Sequence, residues 1–453
     1  MFLSEKYLIE NESGEELYKY VETLPIVDAH NHLDAKEIVE NKGWNDIWEV
    51  EGASDHYVWE LMRRAGVEEK YITGDASNKE KWLALASVFP KFAGNPTYEW
   101  IHLDLLRRFG IKEIISSKTA EFIWEETKKQ LAEKKPQQLL KEMNVEILCT
   151  TDEPFSNLEY HFKAREKVKN VKILPTWRPD KLINIESKNW IDYVKKLGEE
   201  FEENVESFNG FLKAIEKSHK HFENAGCVAS DHAILNPNFF YVNEKEAKKI
   251  YEKAFSKKEL STDEVNKFKS FLMIKIGELN VNSNWVTQLH IGAVRDYRDH
   301  LYRTLGPDSG GDVSTNNLKI TDGLKYFLNE FDGKLKIVLY VLDPTHLPTI
   351  TTIARAFPNV FIGAPWWFND SPFGMKLHLK YISSVDLLFN MPGMVTDSRK
   401  LLSFGSRTEV FRRVLSSVVG EMVEIGQIPF EVAKSLVEHI SYTNQKTLFF
   451  GGE

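Results

Sequence analysis

Cysteine is nearly absent: the 453 residues contain only Cys149 and Cys227. Two thiols cannot build a disulfide framework. Both sit in apolar runs, which predicts buried free thiols in a reducing compartment. Apolar runs long enough to cross a bilayer are missing as well. The first twenty residues, MFLSEKYLIENESGEELYKY, carry acids early and have no extended apolar core, which reads against a secretory signal. No basic block is present and the formal net charge is −9, so neither nucleic acid nor an anionic membrane is expected as a partner. A small anionic substrate stays possible, because a few local arginines can override the global sign. Internal repeats, low-complexity segments and a Gly-rich phosphate fingerprint are lacking too. What remains, at 42% hydrophobic and 28% charged residues, is the balance of an ordinary globular protein, read here as cytoplasmic.

Short apolar, β-branched runs recur, and each ends in polar residues. They are IVDAHNH, VEILCTTDEP, VKILPTWRPD, GCVASDHA, WVTQLHIGAVRD, KIVLYVLDPTH, VFIGAPWWFND and GMVTDSRK. Segments with helical periodicity separate most of them, which implies parallel βαβ units. Eight such units predict an α/β fold, a (β/α)8 barrel of the TIM type, spanning residues 1–453 as one domain. In such a barrel the functional residues lie at the C-terminal strand ends, where the polar residues fall here. Two stretches exceed a minimal barrel, 34–144 after the first strand and 233–284 after the fourth. Both are rich in charged helix formers and are expected to be helical insertions standing over the active site. The segment STDEV predicts a helix start, with Ser261 or Thr262 as cap and acids in the first turn.

The first strand carries the first chemical signal. In a strand, residues two apart face the same way, so His30 and His32 project together. Neutral imidazole is a common metal ligand, and the pair reads as two ligands on one rigid element. Asp397, at the end of the eighth strand, would lie beside strand one once the barrel closes. Two imidazoles and a carboxylate with an open position suit Zn²⁺ or another divalent ion acting as a Lewis acid. His290, from strand five, is read either as a further ligand or as a donor to substrate. Strand four ends in Ser230, Asp231 and His232 without a lysine, so no bridging carboxylated lysine is available, and a mononuclear site is expected. Arg178, Arg295 and Arg399 all follow strands; three guanidinium groups around one mouth suit capture of a carboxylate or phosphate. His56 and Tyr57 come from the first insertion. Trp366 and Trp367 offer an apolar wall with indole donors that suits a sugar face.

Taken together, the segments DAHNHL, DHYVWELMR, TGDASNKEKW, GNPTYEW, LPTWRPDK, SDHA, QLHIGAVR, GPDSGGD, WWFND and TDSRK resemble the uronate isomerase family of the amidohydrolase superfamily over essentially the whole chain. The order of DHY, TWRPDK, WWFND and TDSRK is the specific part; a histidine pair after a strand is widespread. One departure is visible: DYRD follows HIGAVR, where asparagines are expected. The resemblance implies that His30, His32 and Asp397 carry the metal with His290 close by. It implies that Arg178, Arg295 and Arg399, with His56, Tyr57, Asp231 and Trp366, contact substrate or assist the chemistry; moving a proton between C2 and C1 makes Tyr57, His56, Asp397 and His290 candidate proton carriers, unranked by the sequence. The implied reaction interconverts D-glucuronate with D-fructuronate and D-galacturonate with D-tagaturonate. A metal-dependent hydrolase or decarboxylase on the same barrel is the alternative within enzymes, and a non-catalytic sugar-acid binding protein is the alternative outside them. A homo-oligomer is expected.

Overall fold

A computed structural model describes residues 2–451. Seven strands form one parallel sheet: β1 (Ile26–Asp28), β2 (Val145–Asp152), β3 (Lys172–Trp177), β4 (Ala229–Ile234), β5 (Val286–Ile291), β8 (Lys336–Val341) and β9 (Val360–Ile362). A short antiparallel hairpin, β6 (Ala293–Val294) with β7 (Val313–Ser314), follows β5. The main sheet runs in chain order from β1 to β9 and curls on itself. Its strands are buried on both faces, β5 at every residue, which is why they read as continuous apolar runs rather than alternating ones.

The eighth segment departs from expectation. Residues around Asp397 close the barrel without forming a strand. The closure rests on two backbone bonds, Asp397 N–H to His30 C=O at 3.1 Å and His32 N–H to Ser398 C=O at 2.8 Å. Two features stop a ladder here. Asp397 stands in the left-handed region at φ 48°, and Gly393 at φ 114° turns the chain just before it. The Asp28 carboxylate also takes the Thr396 amide (3.0 Å) and hydroxyl (2.6 Å), where a strand would offer a carbonyl.

Helices fill both long stretches between strands. Seven α-helices from Ala35–Glu40 to Pro136–Glu142 lie between β1 and β2, and Glu244–Phe255 and Thr262–Asn282 lie between β4 and β5. Ser261 caps the last of these, with Glu264 completing a capping box. The first stretch has a core of its own, built on Trp48, Trp82, Phe89 and Trp124; the Trp82 indole N–H reaches the Ala120 carbonyl at 2.9 Å. A long buried helix, Ser403–Glu424, supports the barrel from below β1. Its Arg412 donates to the carbonyls of Leu24 and Pro25, both at 2.8 Å, and so fixes where β1 enters. Cys149 and Cys227 are buried free thiols, and among the described residues no helix is long and apolar enough to cross a membrane.

Candidate active site

The strand ends converge on one cavity. It is lined by His30, His32, His56, Arg178, His290, Arg295, Trp366, Trp367, Asp397 and Arg399. Of the residues expected at the site, Tyr57 and Asp231 do not line it.

His30 and His32 leave β1 on one side, and their Nε2 atoms lie 3.2 and 3.1 Å from the same oxygen, Asp397 Oδ1. The left-handed turn at Asp397 and the two closure bonds aim its carboxylate at the pair. These three donors fit a divalent ion. Bonds of 2.0–2.1 Å arranged tetrahedrally put ligand atoms about 3.3 Å apart, close to the separations seen. Burial keeps His32 neutral, with its pKa lowered to about 4. Burial lowers His30 as well, but the Asp231 and Asp397 carboxylates outweigh it and leave its pKa raised, so the site favours positive charge at that ring. A second group, His30, Asp231 and His290, is equally compact. The Arg178 guanidinium already stands 3.2 Å from its carboxylate, which disfavours another cation there.

Asp231 lies fully buried beneath the cavity. Its Oδ1 accepts from His290 Nδ1 at 2.7 Å, and its Oδ2 faces Arg178. Burial would raise its pKa, but Arg178, with His30 and His290, reverses this and holds the carboxyl well below the usual range. An ionised carboxylate can only accept, so His290 Nδ1 carries the proton. Burial lowers the His290 pKa, which keeps the ring neutral. Its Nε2 is therefore an unprotonated nitrogen, buried and without a partner among the described residues. The ring is stacked on Tyr340 at 4.3 Å and lies 4.5 Å from His30. Tyr340 is itself fixed, its hydroxyl donating to Gln288 at 2.9 Å.

The arginines differ. Arg178 pairs with Asp231 and Asp180, both at 3.2 Å. Arg295 pairs with Asp312 at 3.0 Å and lies over the Trp367 ring at 4.7 Å. Arg399 has no acidic partner among the described residues and is the free guanidinium of the cavity. The Trp366 indole, in the cavity wall, donates to Asp397 Oδ2 at 2.9 Å. Tyr57 stands behind His56, the rings 4.7 Å apart, and Arg407 lies over its ring at 5.0 Å. Its hydroxyl is buried without a partner, and burial raises its pKa well above 10, so it is a phenol and not a phenolate. At the DYRD departure, the Asp296 amide bonds Asp312 at 2.6 Å and Tyr297 is exposed.

Sequence reading missed Asp28, which ties β1 to the closing segment. Its place two residues before His30, on the same face, was the available signal. Arg407 was missed too, because its partner Asp370 stands 37 residues away; Asp312 closes GPDSGGD, but nothing in that motif shows its pairing with Arg295.

The curled parallel sheet and the His–His–Asp cluster at its strand ends define a barrel of the metal-dependent hydrolase kind. Comparison narrows the class. The family model for glucuronate isomerase matches residues 1–449. The uronate isomerase of Thermotoga neapolitana is 70% identical over 451 residues, covering 100% of each chain. The crystal structure of uronate isomerase from Thermotoga maritima, at 68% identity, superposes with a TM-score of 0.99 over 99% of this chain and 100% of that one. Glucuronate isomerase from Caulobacter crescentus, at 25% identity, gives 0.95 over 100% and 97%. The chain belongs to the glucuronate isomerase family.

Proposed function

We propose that this enzyme interconverts D-glucuronate with D-fructuronate, and D-galacturonate with D-tagaturonate, by proton transfer between C2 and C1 at a mononuclear metal site. One observation carries the reading: a single cavity unites the His30–His32–Asp397 cluster, the free nitrogen of His290 and the unpaired guanidinium of Arg399. An open-chain hexuronate has matching ends, a carboxylate at one and an aldehyde with its α-hydroxyl at the other. A divalent ion on His30, His32 and Asp397, with Zn²⁺ expected, would supply Lewis-acid polarisation of the carbonyl oxygen. Arg399 binds the distal carboxylate, with Arg295 and Arg178 beside it. Both oxygens of Asp397 are engaged, and His290 Nε2, unprotonated because Asp231 holds the proton on Nδ1, is assigned as the acceptor for the C2 proton. Asp231 holds that tautomer. His56, backed by the Tyr57 phenol, also lines the cavity and offers a donor to the sugar oxygens. Trp366 orients Asp397.

We read residues 1–453 as one barrel domain with insertions at 34–144 and 233–284, and the protein as a cytoplasmic homo-oligomer, which a light-scattering mass checks. The activity is tested by incubating the enzyme with D-glucuronate, D-galacturonate and D-glucose and measuring ketose. Turnover of the two acids and not of glucose is expected. Equal turnover of glucose, or no isomerisation together with clean hydrolysis of a lactone or amide, would overturn the reading.

A further inference from the structure

A second buried charge cluster lies behind the cavity wall, outside the residues assigned above. Lys400 is 4% exposed; its Nζ forms an ion pair with Glu51 at 2.5 Å and faces Asp55 Oδ2 at 3.4 Å. Glu51 and Asp55 are equally buried, and so is Asp104, which abuts Glu51. Two oxygens in this group, Glu51 Oε1 and Asp104 Oδ2, lack a donor. Burial, reinforced by Glu51, pushes the Asp104 carboxyl well above its usual range.

Such a cluster is a poor way to gain stability. Desolvating the ions offsets most of their attraction, and apolar side chains would do as well. What an ion pair supplies is direction, and here both ends touch the site. Asp55 caps the helix His56–Arg64: its Oδ1 accepts the Tyr57 amide at 2.9 Å while its Oδ2 faces Lys400. Lys400 follows directly on the segment that carries Asp397 and Arg399. A parallel bond, Ser54 Oγ to the Arg399 carbonyl at 3.1 Å, runs across the same seam.

We propose that Lys400 is a positioning residue for the isomerisation: through Asp55 and Glu51 it sets the helix start bearing His56 against the turn bearing Asp397 and Arg399. The proposal rests on the isomerase reading for its kinetic consequence. The chemistry needs donors on the His56 side and the carbonyl-polarising group at Asp397 at a fixed separation. Losing the link lets the two walls drift, and a drift near 1 Å is enough to cost about 100-fold in rate.

The test compares Lys400→Met, Lys400→Arg, Asp55→Asn and the Lys400→Met/Asp55→Asn double variant with wild type on D-glucuronate. Lys400→Met should lose roughly 10- to 100-fold in kcat, with KM changed less than about threefold. Lys400→Arg should recover part of kcat. The double variant should be no slower than the slower single, because both remove one link. Asp55→Asn keeps an oxygen for the cap and removes the charge, so it carries the test if Lys400→Met does not fold. A readout independent of turnover is the NMR signal of the His56 ring, which should move in each variant. If Lys400→Met and Asp55→Asn lose thermal stability but keep kcat within twofold and leave the His56 signal unmoved, the link is structural only and the proposal is overturned. Absence of wild-type turnover would count against the isomerase reading, and the His56 signal would then decide the positioning role alone.

Discussion

Asp231→Asn is the sharpest perturbation of the floor of the site. The change is nearly isosteric, so packing survives, but the amide has one acceptor oxygen where the carboxylate had two. Asp231 now receives the His290 Nδ1 proton and faces the Arg178 guanidinium. An amide can satisfy only one of these. If its oxygen serves His290, its NH₂ group points at a guanidinium, donor against donor. If it turns to serve Arg178, its NH₂ group faces His290 Nδ1, and the ring relieves the clash by moving its proton to Nε2. That nitrogen is then a donor and cannot accept the C2 proton. Arg178 keeps Asp180 as a partner, so the fold should hold. A wrong tautomer in a buried acid–base pair is worth about 10²–10⁴ in rate, or about 3–5 kcal/mol. The assay is kcat for ketose formation at saturating D-glucuronate, with the tautomer followed by ¹⁵N NMR of His290. A variant with kcat within threefold of wild type would refute the argument that Asp231 sets the state of His290.

The remaining predictions follow from the same structure. Arg399→Met should cost roughly 30- to 1000-fold in kcat/KM for D-glucuronate, because a charge-assisted, largely desolvated contact is worth about 2–4 kcal/mol; an unchanged kcat/KM would remove Arg399 from the site. Replacing His30 or His32 by Ala should lower metal content and activity together in chelator-washed, reloaded protein, and full metal content in both variants would contradict the ligand assignment. His102 gives a pH test of stability. Its Nε2 accepts from the Ile115 amide at 3.0 Å and its Nδ1 meets the Tyr98 carbonyl at 2.8 Å, so the neutral ring is fully satisfied, and burial lowers its pKa to about 4. The unfolded chain, with a value near 6.5, takes up the proton first as pH falls. The stability this histidine contributes is therefore intact above about pH 6.5 and declines from there to pH 4, by about 2 kcal/mol at pH 5. Asp152, raised to about 7 by burial, has the opposite sign, so the measurement is the difference between wild type and His102→Gln. The loss between pH 7 and 5 should be smaller in the variant by about 2 kcal/mol, and parallel curves would refute it.

The parts of this protein that sequence makes visible are those set by local periodicity. Two histidines two apart on a strand must share a face, and β-branched runs ending in chemistry mark the strand ends of a barrel. The parts that stayed hidden depend on groups far apart in the chain. GMVTDSRK reads as an eighth strand, but the Asp28 carboxylate takes the Thr396 amide and the chain turns left-handed at Asp397. The resemblance puts Asp231 on the substrate, and nothing local shows that its carboxylate also meets Arg178 and accepts from His290. Glu51, in the charged first insertion, and Lys400, at the end of GMVTDSRK, have nothing local that joins them, and only the meeting of the first insertion with the closing turn buries them together. Trp366 reads as a sugar wall and does line the cavity, but nothing local shows that its indole N–H is also aimed at Asp397.

The central claim, isomerisation by proton transfer at this cavity, is tested most directly by following D-glucuronate labelled with deuterium at C2 in ordinary water, and unlabelled D-glucuronate in D₂O. A base on one face serves both carbons and exchanges its proton with water while holding it. Ketose should therefore form with part of the C2 deuterium lost to water in the first experiment, and with solvent deuterium at C1 in the second. Quantitative arrival of the C2 deuterium at C1, with no solvent label entering over many turnovers in either direction, would contradict proton transfer and point to a hydride shift instead.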